Sequence, residues 1–310
     1  MGPEEVATMV AVARRHYVEG VSRVDLARER GVSRFKISRL LAAAQEAGIV
    51  TIRISAPAGI DYELSERLRE TYDLRRALVV PTADDVGVAE ALGQVAGELL
   101  AEIVTADDVL GLDCGRTLLA MTGHLRGIAR CEVVQLTGMG GQLGRTSVDI
   151  VRTVAEANGG GTTHPVFAPI VVADRRTATA LQQHDSIRAT LEQYPRVTKA
   201  VVAVGAWPVG EGGGLSQIPP LIGPAATEKL AARGVVGETC ALLYDARGRR
   251  VTGLDERRIG ITEAQLRAVP DVIAVAGGAG KTEAVRALLR AGLLGSLVTD
   301  AYLARRILED

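Results

Sequence analysis

The sequence predicts an α/β fold, a Rossmann-like, largely parallel sheet preceded by a small helical domain. Three observations carry this. From about residue 61 onward, short apolar runs alternate with amphipathic helical stretches, the rhythm of strand–helix–strand units. Hydrophobic residues make up 47% of the 310 residues and aromatics only 3%, so the core must be Ala, Val, Leu and Ile, which suits buried parallel strands. Before residue 60 the pattern changes to short helices rich in arginine.

Residues 3–19 place Val6, Met9, Val10, Ala13 and Tyr17 at helical spacing, with charges on the other face. Ser22 can cap a second short helix, "RVDLARERG", and Ser33 a third, "SRFKISRLLAAAQEAG". Ala27 is small enough for a close helix crossing. Gly31 falls where a tight turn needs positive φ. Val32, Ile37 and Leu40 are the expected buried positions, which leaves Ser33, Arg34, Phe35, Lys36, Ser38 and Arg39 on the outer face of the third helix. Between residues 22 and 40 six Arg/Lys stand against Asp25 and Glu29, a local excess of four positive charges. Turn, caps, core spacing and charge together predict a helix-turn-helix whose third helix enters DNA. Arg34, Lys36 and Arg39 can reach phosphates or base edges, Ser38 lets the helix sit close, and Phe35 can touch a thymine methyl. "IVTIRIS" (49–55) alternates like a strand, part of a wing, and "APAG" follows as linker. The expected division is therefore 1–55 for DNA binding, 56–60 for the linker and 61–310 for an α/β domain.

In the α/β domain a helix at about 61–72 precedes the strand "ALVVP" (77–81) and a helix near 86–103. "VLGLDCGRTLLAMTGHL" (109–125) reads as strand, glycine turn and helix. "CEVVQLTGMGG" (131–141) reads as strand and glycine loop, with a helix over about 147–157. "AVVAVGAW" (200–207), "ALLYDARG" (241–248), "VIAVAGG" (272–278) and "SLVTD" (296–300) are further strands. Ligands of such sheets lie beyond the C-terminal ends of the strands, where the glycine turns fall.

Three of those turns can bear chemistry. Gly115, Arg116 and Thr117 open a helix, which offers N–H groups and a hydroxyl to a phosphate. Gln135 lies just before Gly138, Gly140 and Gly141, where an amide can both donate to and accept from a hydroxyl. "AVAGGAGKTEAVRALLR" (274–290) nearly reads as a nucleotide-binding P-loop, but Val275 stands where the first glycine of that loop belongs. What remains is a helix N-terminus with Lys281 beside it, suited to a single phosphate.

The order of the helix-turn-helix, "GRTL", "VVQLTG", "GETCALLYDARG" and "VIAVAGGAGKTEAVRALLRAGLLGSLVTD" resembles the SorC/DeoR-type sugar-binding transcriptional regulators over nearly the whole chain. The resemblance implies an effector domain related in fold to ribose-5-phosphate isomerase and glucosamine-6-phosphate deaminase. It also implies a sugar effector, usually phosphorylated, and a tetramer that binds operator DNA. It puts Gly115, Arg116 and Thr117 near the effector phosphate with Lys281 supplying charge, and Gln135, Glu238 and Asp245 near the sugar hydroxyls. Asp113-Cys114 stands where many relatives have a Trp before Gly-Arg-Thr, and "HPVFAP" (164–169) departs from the usual segment. An acidic Asp113 beside a phosphate is unfavourable unless it points away.

The net charge of −1 means that nucleic-acid binding must come from the local patch. Cys114, Cys131 and Cys240 have no metal or disulfide spacing, and neither do the four histidines, so no cofactor is expected. No leader pattern and no apolar run of membrane length is visible, which points to the cytoplasm. The alternative reading is an enzyme, a phosphosugar isomerase or deaminase with a DNA-binding appendage. For that, no general base can be named from the sequence.

Overall fold

The computed structural model describes residues 2–51, 59–82, 87–140, 147–207 and 216–309. They fall into two compact units, residues 1–56 and 57–310. Most of the expected strand 49–55 and linker 56–60, together with Gly141, lies outside the described residues.

The first unit holds α1 (Pro3–Ala13), continued by a π-helical turn over Arg14–Val18, then α2 (Arg23–Glu29) and α3 (Arg34–Glu46). Ser22 accepts a hydrogen bond from the Asp25 N–H and Ser33 one from the Lys36 N–H, each at 3.2 Å, so both helices start on capped turns. Gly31 sits between them at φ +63°. Met9, Val12, Leu26, Ala27, Ile37, Leu41 and Ala44 are buried together. Two expectations change. Val10 is 46% and Tyr17 39% exposed, because the buried stripe is Met9, Val12 and Ala13 and the π turn shifts the register after Ala13. Leu41 takes the central place expected of Leu40, which is half-buried at the rim.

The second unit runs α4 (Tyr62–Thr71), β1 (Arg76–Val80), α5 (Val88–Ile103), β2 (Val109–Leu112), α6 (Arg116–His124), β3 (Glu132–Gln135), α7 (Ser147–Ala157) and β4 (Thr163–His164). It continues through α8 (Arg175–Gln183), α9 (Asp185–Leu191), β5 (Lys199–Ala203), β6 (Gly205–Ala206), α10 (Ile218–Ile222), α11 (Pro224–Ala231), β7 (Val235–Thr239) and β8 (Leu242–Asp245). It closes with α12 (Glu263–Ala268), β9 (Asp271–Val275), α13 (Thr282–Arg290), β10 (Ser296–Asp300) and α14 (Ala301–Leu308).

Seven strands form a parallel sheet in the order β1-β10-β9-β5-β2-β3-β4. Alternate residues serve opposite faces. Val109, Val134, Ala200, Val202, Ala274 and Leu297 pack with Leu68, Leu288 and Leu303 of α4, α13 and α14. Leu110, Leu112, Val133, Val201, Ile273 and Val275 pack with Leu92, Met121 and Val154 of α5, α6 and α7. Both faces are therefore apolar, which is why these strands read as continuous hydrophobic runs. From β2 the chain moves outward to β3 and β4, then returns to β5 on the other side of β2 and moves through β9 to β10. The strand order reverses between β2 and β5, the place where open α/β sheets form a ligand crevice.

Two expected strands differ. "AVVAVGAW" is split at Val204 into β5 of the large sheet and β6 of a separate three-stranded sheet, β6-β7-β8. "ALLYDARG" pairs antiparallel with β7 rather than joining the parallel sheet. Only Cys240 and Ala241 separate β7 from β8, far too few residues for a parallel crossover.

The crevice depends on close helix contact. A Cβ at Gly93 of α5 would lie 2.7 Å from the Met121 backbone nitrogen and 2.8 Å from the Ala120 carbonyl carbon, both in α6. Rigid backbone cannot yield as a side-chain end does. Gly93→Ala is expected to destabilise the α/β unit by about 1–3 kcal/mol, seen as a lower urea midpoint with an unchanged slope.

Candidate functional site

The crevice is built from the chain segments that leave β2, β5 and β9. After β2 the chain runs Asp113-Cys114-Gly115 into α6, with Gly115 as N-cap. A Cβ on Gly115 would stand 2.7 Å from the Ala203 side chain, so only glycine lets this loop pass over the end of β5. Arg116 then lies exposed on the first turn of α6, and Thr117 is buried beside it. The first turn of an α-helix carries N–H groups with no acceptor inside the helix, and Arg116 adds a cation at that end of α6.

After β9 the glycine turn is held from below by Asp300. Its carboxylate accepts from the Gly278 N–H at 2.7 Å with one oxygen and from the Leu303 N–H at 2.9 Å with the other, fixing the turn and the start of α14 together. A Cβ on Gly277 would meet Asp300 Oδ2 at 2.6 Å. Ala279–Lys281 form a single 3₁₀ turn beside β6, and α13 starts at Thr282. The Lys281 ammonium is partly buried and has no hydrogen-bond or ion-pair partner among the described residues. Burial first, and then the nearby Arg116 charge, lower its pKa to about 8, while Glu238 pulls the other way.

Glu238 on β7 is buried against Gly205, where a Cβ would clash with its carboxylate. One oxygen accepts from the Ser216 hydroxyl at 3.0 Å and the other from the Ala241 N–H at 3.2 Å. Burial, and then the charge of Asp113, push its pKa up to about 7. Asp113 does point away from the crevice. It is 3% exposed and accepts from the Thr137 hydroxyl at 3.1 Å and the Cys240 N–H at 3.3 Å, and the nearby Cys114 and Ala203 backbone also favours its charged form. Burial still raises its pKa, against those hydrogen bonds.

Gly115, Arg116, Thr117, Glu238 and Lys281 thus belong to one neighbourhood at the β2/β5 boundary. Three other expected site residues are engaged elsewhere. Gln135 is fully buried, its amide nitrogen donating to the Thr137 carbonyl at 2.6 Å and its oxygen accepting from the Val166 N–H at 3.0 Å, so it ties β3 to the segment after β4. Gly138 is a packing glycine, since a Cβ there would lie 2.6 Å from the Ala168 and Pro169 backbone. Asp245 closes its own turn, accepting from the Arg247 and Arg249 N–H groups at 2.9 Å and pairing with the Arg249 guanidinium at 2.7 Å. Sequence reading missed Ser216, Gln217 and Arg258. Gln217 donates to Cys114 Sγ at 2.7 Å, and the buried Arg258 donates to the Cys240 and Ile261 carbonyls. No local pattern marks these residues, because Ser216 meets Glu238, Gln217 meets Cys114 and Arg258 meets Cys240 only once the chain has folded.

In the first unit, Ser33, Arg34, Phe35, Lys36 and Arg39 are exposed on the first turns of α3, and Ser38 is half-buried. Phe35 is 67% exposed, with the Arg34 guanidinium 5.2 Å from its ring centre. Arg28 pairs with Asp25, and Glu29 is taken by Arg15. Both local acids are thereby matched. Arg23, Arg30, Arg34, Lys36 and Arg39 have no acidic partner among the described residues.

A family model described as a sugar-binding domain matches residues 57–309. The transcriptional regulator LsrR of Enterobacter sp. (strain 638) is 26% identical over 312 residues, covering 98% of this chain and 93% of that protein. The full-length sorbitol operon regulator SorC from Klebsiella pneumoniae has a similar fold, with TM-score 0.75 and 24% identity over 99% of this chain and 100% of that one. A DeoR family transcriptional regulator from Listeria monocytogenes reaches TM-score 0.71 at 26% identity, covering 79% of this chain and 98% of that one.

The electrostatics of the crevice give two expected outcomes. The folded pKa of Glu238, about 7, lies above its ordinary 4.5. Its contribution therefore favours the fold at low pH and is lost as pH rises from 4.5 through 7, by about 3 kcal/mol. Glu238→Gln should flatten that part of the stability–pH curve, measured by urea unfolding from pH 4.5 to 8. Lys281 has the opposite sign: its folded pKa is lowered, so the penalty is present below about 8 and relieved as pH rises toward 10.5. Lys281→Met should raise stability at pH 7 by about 2 kcal/mol, read from the same denaturation curves.

Proposed function

This chain belongs to the sugar-binding-domain family, and from that we propose that it is a transcriptional regulator whose hold on operator DNA is set by a carbohydrate. The similarity to LsrR across 98% of the chain supports the whole arrangement, DNA-binding unit included. The single observation that carries the effector reading is the partly buried, unpaired Lys281. An ammonium whose pKa is lowered to about 8 by burial beside another cation is unfavourable by itself and becomes favourable when a dianion arrives. We therefore assign the Lys281–Arg116 end of the crevice, with the N–H groups that open α6 and α13, to a phosphate. The Glu238 end, with Ser216, is assigned to hydroxyl groups of the same ligand.

The capped α2–turn–α3 arrangement is read as a helix-turn-helix. Arg34, Lys36 and Arg39 neutralise phosphates, while Ser38 and Phe35 face the groove floor. The effector acts by binding one assembly more tightly than the other, since equal affinity would shift nothing. A tetramer with two or more DNA-binding units is the assembly this reading favours.

One observation favours a second reading. An acid with a pKa near 7 and an amine near 8 could serve proton transfer in a phosphosugar isomerase. Both Glu238 oxygens are engaged by Ser216 and Ala241, which argues for recognition rather than turnover.

Two experiments test these assignments. In a thermal-shift panel of free sugars, sugar phosphates and ATP, a ligand at about 100 times its Kd is expected to stabilise the protein by about 2.7 kcal/mol. One sugar phosphate should do so, and Lys281→Ala should remove the effect. A response only to free sugars would remove the phosphate, and conversion of the sugar phosphate would establish the enzyme. On a random-sequence duplex, Lys36→Ala and Arg39→Ala should each lower the slope of log K against log salt by about 1. An unchanged slope would take these residues off the DNA.

A further inference from the structure

The two-residue connection between β7 and β8 is made of unsuitable residues. Cys240 and Ala241 lie at φ +50° and +56°, and both are buried. Hairpin turns with positive φ at both positions ordinarily take Asn-Gly or Asp-Gly. With Cys-Ala, two Cβ atoms are forced into the left-handed region. Such strain persists only where the surroundings over-determine the backbone. Here three buried ionisable side chains do so: Asp113 accepts from the Cys240 N–H, Glu238 accepts from the Ala241 N–H, and Arg258 donates to the Cys240 carbonyl. They come from the end of β2, from β7 and from the segment after β8.

We propose that the Cys240–Ala241 turn is the element through which the effector site is read out: Glu238 and Asp113 hold it in its strained form, and a ligand hydroxyl that engages Glu238 loosens that hold. The proposal rests on the effector reading of the crevice. Its physical basis is shared acceptance. Each Glu238 oxygen accepts one hydrogen bond and keeps a second lone pair, so a ligand hydroxyl that donates there divides the acceptor and weakens its bonds to Ser216 and to the turn. A route onward is present. A Cβ on Gly237, next to Glu238, would stand 2.7 Å from the Ala284 Cα, so β7 and α13 touch backbone to backbone. A shift of β7 therefore moves α13 and the Lys281 turn with it, and the two ends of the ligand site are mechanically joined.

Hydrogen exchange on the full chain, without added ligand, tests the hold. In Glu238→Gln, amides of the peptide spanning Thr239–Leu242 should exchange at least tenfold faster than in the parent, while those of β9 keep their rate. Unchanged exchange at the turn would overturn the proposal. A second comparison does not depend on that variant folding. Ala241→Gly should raise Tm or leave it unchanged, because it relieves positive φ. Ala206→Gly, at an equally buried strand position without positive φ, should lower it. Equal losses in the two would also overturn the proposal. A last arm adds glucose 6-phosphate, fructose 6-phosphate and sorbitol 6-phosphate in turn. Whichever shifts the parent should speed exchange at Thr239–Leu242, and a ligand that stabilises the protein while leaving the turn protected would overturn the readout. If no sugar phosphate shifts the parent, the effector assignment fails, and the ligand-free arms then decide the hold on the turn separately.

Discussion

The crevice depends on one buried carboxylate. Asp113 sits where the strand order reverses, and an isolated charge cannot remain there without donors. It accepts from Thr137 after β3 and from Cys240 at the β7–β8 turn, with the backbone at Cys114 and Ala203 close enough to favour its charge. Four chain segments that are remote in sequence are thereby brought to one point. Removing a single donor would leave part of a buried carboxylate unsolvated, so the segments are constrained as a group rather than in pairs. The opening of α6, the small antiparallel sheet and the position of Glu238 all follow from this arrangement.

Around that point the structure holds charges in unfavourable places. Lys281 and Arg116 repel each other, and Glu238 and Asp113 do the same. An interior selected for stability alone would not keep two like-charged pairs close together. On the proposed reading, a ligand with one anionic end and several hydroxyls relieves what the protein alone cannot. The same logic applies to the turn at Cys240 and Ala241, where backbone strain lies within hydrogen-bond reach of the proposed recognition group.

Much of this was legible along the chain. The caps at Ser22 and Ser33, the positive-φ glycine at Gly31 and the basic face of α3 are local features, decided by residues within one or two turns of each other. The parallel strands were legible because burial on both faces makes them continuously apolar. The helix openings at Gly115 and beside Lys281 were legible because a strand, a glycine turn and a helix leave a local signature. The hairpin was not, since Cys-Ala is a poor sequence for the turn it adopts, and Asp113 and Arg258, from other parts of the chain, join Glu238 in holding it. Gln135, Gly138 and Asp245 have the right chemistry for a ligand, but their neighbours in space claim it first.

The sequence by itself therefore determined the capped helices of the first unit, most of the parallel strands and the cationic groups of the candidate sites, because propensity, periodicity and capping act over a few residues. Tertiary structure alone decided which polar groups face the crevice and which are consumed inside the fold. It turned Asp113 inward, joined Glu238 to Ser216 and Ala241, and set Lys281 beside Arg116. Those outcomes depend on burial and on hydrogen bonds between segments up to 127 residues apart, as between Asp113 and Cys240, and no local pattern encodes them.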